Sequence, residues 1–303
     1  MKALVIKSTG LWYEILLDGE VHKARLRGRI RLEGIKTTNP VAVGDWVICE
    51  KDKNGEFTIK SIERRKNYVI RRSTKLSAQA HILASNIDQA VVVVSLKSPR
   101  TSLGFVDRFL VTTESFRIPT IIVFNKEDIY TKQELIEIAE IRELYQSIGY
   151  ETILTSVKTK NGISNLKKEL ESKITMFSGH SGVGKSSLLN EIDQGLNLPT
   201  QNISSHTDKG QHTTTFATMY FLDDRTKIID TPGIKEIGLY NIEKEELCHY
   251  FKEFKPFLGT CKFNNCTHNH EPGCVIKHQA EINNISKKRY DSYLHILNSE
   301  DVK

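Results

Sequence analysis

One stretch limits what this chain can fold into more than any other: GHSGVGKSS, Gly179 to Ser187. It follows the apolar run ITMFSG and leads into SLLNEI, so the pattern sets a glycine-rich loop between a buried strand and the start of a helix. Glycines at that spacing let the backbone wrap an anion. The N–H groups from Gly179 through His180, Ser181, Gly182, Val183 and Gly184, together with the helix end at Ser186 and Ser187, then face phosphate oxygens. Lys185 can reach the β and γ oxygens, and Ser186 can ligate Mg²⁺.

Such a loop requires a sheet buried on both faces. The flanking pattern supplies one: AVVVVSL (90–96), TIIVFN (120–125), TILTSV (152–157) and ITMFSG (174–179) are nearly unbroken apolar runs separated by helical patterns at about 105–117, 132–147 and 162–172. Apolar strands alternating with helices predict a parallel sheet, and FATMYFL (216–222) and TKIIDT (226–231) bring it to about six strands.

Three further motifs accompany that sheet, two of them at strand ends. DTPG, Asp230 to Gly233, places Asp230 to hold Mg²⁺ and the Gly233 N–H to meet a γ-phosphate. HTTT, His212 to Thr215, lies in a polar stretch, and one of Thr213, Thr214 and Thr215 is expected to cap Mg²⁺. FNKED (124–128) has the N-K-x-D form of a guanine-reading loop: Asp128 can accept from N1–H and the N2 amino group, which adenine does not offer together, Asn125 buttresses the loop and Lys126 packs along base and phosphate loop, with Glu127 between them. Ser156 and Val157, in SVK after the next strand, can supply backbone against the base. FNKED stands about 50 residues ahead of the phosphate loop, the reverse of the Ras-like order. Because ligands bind at strand C-terminal ends whatever the chain order, the implied pocket survives a circular permutation.

The remaining chain divides in two. Residues 1 to about 70 carry five short alternating segments, ALVIKS, YEILLDG, VHKARLRGRIRL, DWVICEKD and EFTIKSIE, the pattern of a small barrel. Arg25, Arg27, Arg29 and Arg31 recur at a spacing of two, which on an unbroken strand puts all four on one face: a phosphate-backbone surface, or simply a solvated one. RKNYVIRRSTKLSAQAH (65–81) reads as a basic linker or exposed arm. Near the other end, Cys261, Cys266, His268 and Cys274 are spaced C-x4-C-x-H-x5-C, a closed three-thiolate, one-imidazole set that suits zinc; a buried cysteine cluster without metal is the alternative. Lys287, Lys288 and Arg289 lie on a helical pattern and read as a solvated face or a polyanion contact. The 43 Lys and Arg against 37 Asp and Glu leave a formal +6, compatible with a polyanionic partner. No window has signal-peptide or membrane-span character, so a cytoplasmic protein without membrane contact is expected.

Taken together, GDWV (44–47), RKN (65–67), NKED, GHSGVGKSS, HTTT, DTPG and the terminal cysteine–histidine cluster resemble the RsgA family, the ribosome small subunit-dependent GTPases of bacteria, over essentially the full length. The resemblance implies an N-terminal OB-fold barrel (1–72) that binds RNA, a central circularly permuted α/β P-loop GTPase domain (73–240) and a mainly helical zinc-binding domain (241–303). It implies zinc on Cys261, Cys266, His268 and Cys274, and GTP hydrolysis to GDP with Mg²⁺, stimulated by the 30S subunit and its 16S rRNA late in assembly; a monomer is expected. The residue that follows the DxxG glycine, a water-orienting glutamine in Ras-like proteins, is Ile234, which cannot hydrogen-bond water; His212 is the candidate replacement beside the catalytic Lys185. A non-enzymatic RNA scaffold and a GTPase acting on another RNA or on the large subunit are the competing readings.

Overall fold

The structure, a computed structural model, describes residues 1–10, 12–26, 39–72, 80–200, 217–231, 239–300 and 302. Arg27, Arg29, Arg31, His212, Thr213, Thr214, Thr215, Gly233 and Ile234 lie outside the described residues.

Five strands close the N-terminal barrel: β1 (Lys2–Ser8), β2 (Tyr13–Leu17), β3 (Glu20–Leu26), β4 (Trp46–Lys51) and β5 (Phe57–Ile62). The order is β1-β2-β3-β5-β4, with β4 returning to β1 and β3 lying parallel to β5, the closure of an OB-fold. Strand alternation turns Tyr13, Ile15 and Leu17 inward, where they meet Ala3, Val5, Val47, Cys49 and Ile59.

Residues 65–81 differ from the linker expected. Tyr68–Arg72 (β6) pairs antiparallel with Ala80–Ser85 (β7), a ribbon whose apolar Val69, Ile70 and Ala84 are buried. Arg65, at its entrance, is not an exposed cation: its guanidinium donates to both oxygens of the fully buried Asp45 at 2.7 Å and to Pro40 O at 2.6 Å. Ser85 Oγ donates to the same carboxylate at 2.6 Å. Gly44 has φ +95°, and a Cβ there would stand 2.1 Å from Ser85 O, so only glycine lets the barrel reach the ribbon. These contacts explain why GDWV and RKN occur together.

The central sheet contains β8 (Gln89–Val94), β9 (Thr120–Phe124), β10 (Glu151–Leu154), β11 (Ile174–Gly179), β12 (Thr218–Phe221) and β13 (Lys227–Asp230), ordered β10-β9-β8-β11-β13-β12. All neighbours are parallel except β12, which runs antiparallel to β13 and joins β1 of the barrel at Lys7 and Thr218. Helices α1 (Leu103–Ser115), α2 (Lys132–Ser147), α3 (Ile163–Leu170) and α4 (Lys185–Ile192) connect the strands. Every residue of β8 and β9 is buried, which accounts for their unbroken apolar sequence. At the start of α2, Thr131 accepts from Glu134 N while the Glu134 carboxylate accepts from Thr131 N, a reciprocal cap that fixes where the base loop ends.

The C-terminal lobe is built from short 3₁₀ turns at Leu247–Tyr250 and Lys252–Phe257, then α5 (Val275–Glu281) and α6 (Lys287–Leu297). Here Arg289 corrects the solvated-face expectation. It is 1% exposed and reaches Asp107 of α1 at 2.5 Å and Glu253 at 2.7 Å, with its plane 4.6 Å from the Phe251 ring centroid. Asp107 also accepts from Tyr145 of α2 at 2.6 Å. Among the described residues no helix is long and apolar enough to cross a membrane.

Removing one partner of a buried ion pair strands the others. Arg289→Met, of similar volume, should therefore cost about 3–5 kcal/mol, because Asp107 and Glu253 lose their counter-charge. Urea unfolding checks this, with limited proteolysis reporting whether the C-terminal lobe loosens first; an unchanged midpoint and protease pattern would contradict it.

Candidate active site and metal centre

The base loop and the phosphate loop stand at the C-terminal ends of β9 and β11, with β8 between them. Asn125 is 2% exposed and spans the gap: its Nδ2 donates to Val183 O at 2.9 Å, while Thr155 Oγ1 donates to Asn125 Oδ1 at 3.0 Å. Gly184 has φ +92°, and a Cβ there would sit 2.5 Å from Asn125 Nδ2, so the crossing needs glycine at that position. Lys126, itself left-handed at φ +69°, donates from Nζ to Gly182 O at 2.7 Å and to Ser98 O. Burial lowers its pKa, against the opposing pull of Asp128.

Asp128 is exposed rather than buried, and its Oδ1 accepts from the buried Ser156 Oγ at 2.6 Å, which leaves the other oxygen to face outward. Ser156 thus orients the carboxylate with its side chain in addition to presenting backbone, and Val157 packs against the core beneath. Glu127 does something different from its neighbours: its carboxylate accepts from Asn161 Nδ2 at 2.5 Å, tying the base loop to the turn after β10. Asn161, Thr155 and Tyr130, whose OH donates to Asn125 O at 3.1 Å, were not singled out by any motif; nothing in their local pattern marks them.

In the phosphate loop, Ser181 and Gly182 are exposed at the apex, and Ser186 and Ser187 open α4. Gly179 closes β11 and His180 packs edge-on against Phe105 of α1, ring centroids 4.0 Å apart; burial lowers its pKa, which favours the neutral ring. Lys185 is 9% exposed and lies 3.0 Å from Asp230 Oδ1, at the end of β13, and 2.5 Å from Thr231 O. The sheet therefore brings together Asn125, Lys126, Asp128, Ser156, Gly182, Val183, Lys185, Ser186 and Asp230 from four strand ends.

The Sγ atoms of Cys261, Cys266 and Cys274 and a ring nitrogen of His268 lie within 4.8 Å of one another. His268 Nδ1 is 3.6 Å from Cys261 Sγ and 3.5 Å from Cys274 Sγ. Zinc bonds of about 2.3 Å to sulfur and about 2.0 Å to nitrogen, set tetrahedrally, put S and N about 3.5 Å apart, so these residues fit the ion. The cluster is held from behind: Tyr290 OH donates to His268 O at 2.7 Å and Tyr293 OH to Thr267 O at 2.6 Å. Burial alone would raise the Glu271 carboxyl, but donors from Thr267, together with backbone N–H groups including that of Asn269, hold it down at about 2. Cys248 and Cys49 are buried elsewhere, and burial pushes each thiol up to about 11.

A parallel sheet whose phosphate loop comes after its guanine loop, joined to a barrel and a Cys3His lobe, defines a circularly permuted GTPase. The RsgA GTPase family model matches residues 62–240 and the RsgA N-terminal domain matches residues 2–59. The chain is 48% identical over 302 residues to the small ribosomal subunit biogenesis GTPase RsgA 2 of Bacteroides thetaiotaomicron, covering 99% of this chain and 97% of that one. It is 48% identical over 304 residues to the corresponding Cytophaga hutchinsonii protein, covering 99% of each. Among solved structures it resembles YjeQ from Thermotoga maritima, with TM-score 0.75, 35% identity and coverage of 98% and 96%. It also resembles YloQ, a circularly permuted GTPase, with TM-score 0.70, 28% identity and coverage of 98% and 93%. This chain belongs to the RsgA GTPase family, and it is a GTP hydrolase.

Asp128→Asn should weaken GDP binding and relax discrimination against XDP, because xanthine carries an oxygen where guanine carries its amino group. Equilibrium titration with the two nucleotides reads this directly, and an unaltered preference would remove Asp128 from the base site. Cys261→Ser and Cys274→Ser should each lower bound zinc and open the C-terminal lobe to protease, while Cys49→Ser should do neither. One equivalent of zinc kept by both ligand variants would count against the cluster.

Proposed function

We propose that this chain binds the 30S ribosomal subunit, contacts its 16S rRNA, and hydrolyses GTP to GDP and phosphate during late maturation of that subunit in the cytoplasm. The observation that carries the nucleotide half is the Asn125–Val183 crossing, which sets a guanine loop and a phosphate loop around one crevice. The ribosomal half rests on family membership and on relatives named for small-subunit biogenesis.

In this reading Asp128 holds the guanine edge, Lys126 lies along the base, and the N–H groups of 179–187 hold the phosphates. Lys185, now paired with Asp230, turns to the β and γ oxygens and neutralises charge that grows as the γ-phosphate leaves. Mg²⁺ bound with the nucleotide supplies further charge compensation at those oxygens, with Ser186, Asp230 and one of Thr213, Thr214 and Thr215 as its protein ligands, and Gly233 N–H meets the γ-phosphate. Ile234 offers no hydrogen bond to the attacking water, so turnover is slow until the 30S subunit engages, and His212 is the side chain proposed to orient that water. The Cys3His cluster holds one structural zinc ion with no open position for a water.

Arg25 is paired with Glu56 and lies 5.8 Å from the Trp12 ring centroid, but the pair is half exposed, and such surface pairs exchange readily for a phosphate. The proposed phosphate surface is formed by Arg25, Arg27, Arg29 and Arg31.

The discriminating experiment is GTP turnover by the purified protein with 30S subunits, with 50S subunits and alone. Strong stimulation by 30S only, abolished in Lys185→Ala, is expected; equal rates in all three would overturn the ribosomal assignment. His212→Ala should leave GTP and 30S affinity nearly intact and cut stimulated single-turnover hydrolysis by about 10²-fold. Wild-type single-turnover rates on saturating 30S would exclude His212.

A further inference from the structure

The motifs account for one wall of the nucleotide crevice, and the topology shows a second. From β8 the chain crosses through α1 to β9 on one side, whereas from β11 it crosses through α4 toward β12 and β13 on the other. The boundary between β8 and β11 is thus the point where the winding reverses, and in open parallel sheets the ligand lies between the two loops that diverge there. One of those loops is the phosphate loop after β11. The other, residues 95–101 after β8, carries no recognised motif.

This second loop is built to stay in place. Thr101 N donates to Ser95 O at 2.7 Å, and Leu96 N donates to Tyr130 OH at 2.9 Å. Ser95 Oγ donates to Lys97 O at 2.5 Å, and Ser102 accepts from Phe105 N to start α1 directly afterwards. It also touches the phosphate loop: a Cβ on Gly182 would stand only 3.4 Å from Pro99 Cδ, and Lys126 Nζ donates to both Gly182 O and Ser98 O. Arg100 follows that proline. Its side chain is exposed and makes no hydrogen bond or ion pair among the described residues, whereas Lys97 on the same loop, Lys126 on the base loop and Lys185 on the phosphate loop are engaged.

We infer that Arg100 is a nucleotide-binding residue, a guanidinium on the β8 wall that contacts the polyphosphate of the bound guanine nucleotide from the side opposite Lys185. The inference rests on the nucleotide reading of the crevice and is independent of the ribosomal one. An arginine suits the position because its planar fork matches phosphate oxygens in pairs and never loses its charge. Next to the apex glycine it meets oxygens present in both GDP and GTP, so it adds affinity for each rather than stabilising only the transition state.

The test uses the full-length protein without ribosomes, titrated with guanosine, GDP and GTP. Arg100→Ala should weaken GDP and GTP by about tenfold each, the scale of one exposed charge-assisted contact, and leave guanosine affinity unchanged. Arg100→Glu should weaken both nucleotides further, since a carboxylate there repels phosphate. On saturating 30S the alanine variant should show a raised KM with kcat nearly retained. Unchanged GDP affinity in either variant overturns the inference, and so does an equal loss for guanosine, which would mean that the substitution disturbs the base loop. Loss of 30S affinity with intact GDP binding would reassign Arg100 to the ribosome-facing surface and overturn it as well. If Lys185→Ala also fails to alter GDP affinity, the crevice itself, and not Arg100 alone, has been misread.

Discussion

The hydrogen bond from Asn125 Nδ2 to Val183 O, 2.9 Å long and out of contact with water, is the constraint on which this architecture turns. Its two ends belong to loops 58 residues apart in sequence and to strands that do not touch, because β8 separates β9 from β11. A buried amide and a buried carbonyl must each find a partner, and in this fold they find each other. Gly184 makes room for the crossing, Thr155 holds the amide in orientation, and Lys126 adds a second strut through Gly182 O. Permutation is harmless to the pocket because the contact depends on strand order in the sheet, which is kept, and not on order along the chain.

What permutation changes is which parts of the chain lie next to each other. The strand that ends in Asp230 is followed, within about a dozen residues, by Leu239 and Ile242, and both are buried in the core of the C-terminal lobe with Phe251, Phe254 and Tyr293. Val302, near the far end of the sequence, pairs with Ile242 in a single parallel bridge. The Cys3His cluster sits against the same core, and Arg289 fastens that core to α1 through Asp107. Since α1 also carries Phe105 against His180 of the phosphate loop, the lobe meets the nucleotide site from two directions. At the other end, Asp45 and Arg65 bind the barrel to the β6–β7 ribbon, and β1 extends the central sheet through β12.

The parts of this structure that sequence made visible share a physical cause. Strands buried on both faces must be apolar throughout, so β8, β9 and β11 appeared as runs. A phosphate loop needs glycine at set intervals, and a tetrahedral metal needs four ligands close together. The barrel strands were legible as short apolar segments between turns; β2 alternates buried and half-buried residues, whereas β1 is buried on both faces, Ala3 and Val5 inside the barrel and Leu4 and Ile6 against the central sheet. Arg289 was misread because a charged residue on a short helix is usually solvated; only the folded chain brings Asp107 and Glu253, 182 and 36 residues away, to meet it. The ribbon of β6 and β7 was hidden for the converse reason, since its few apolar residues are set among cations, and Arg65 at its entrance is held by a partner 20 residues upstream. The β8 loop had no signal at all, because its role follows from where the sheet reverses its winding.

The central claim is that two separated segments form one guanine-specific crevice through the Asn125 crossing. The most direct test is the affinity of the unmodified protein for GDP, IDP and ADP at equilibrium in the presence of Mg²⁺. Hypoxanthine keeps the N1–H of guanine but lacks its N2 amino group, so IDP should bind more weakly than GDP by the loss of one charge-assisted hydrogen bond to Asp128, about tenfold or more. ADP, which leaves the carboxylate unpaired, should bind far more weakly still. Similar affinities for all three would mean that the segment carrying Asp128 does not face the base, and would contradict a single crevice shared by the two loops.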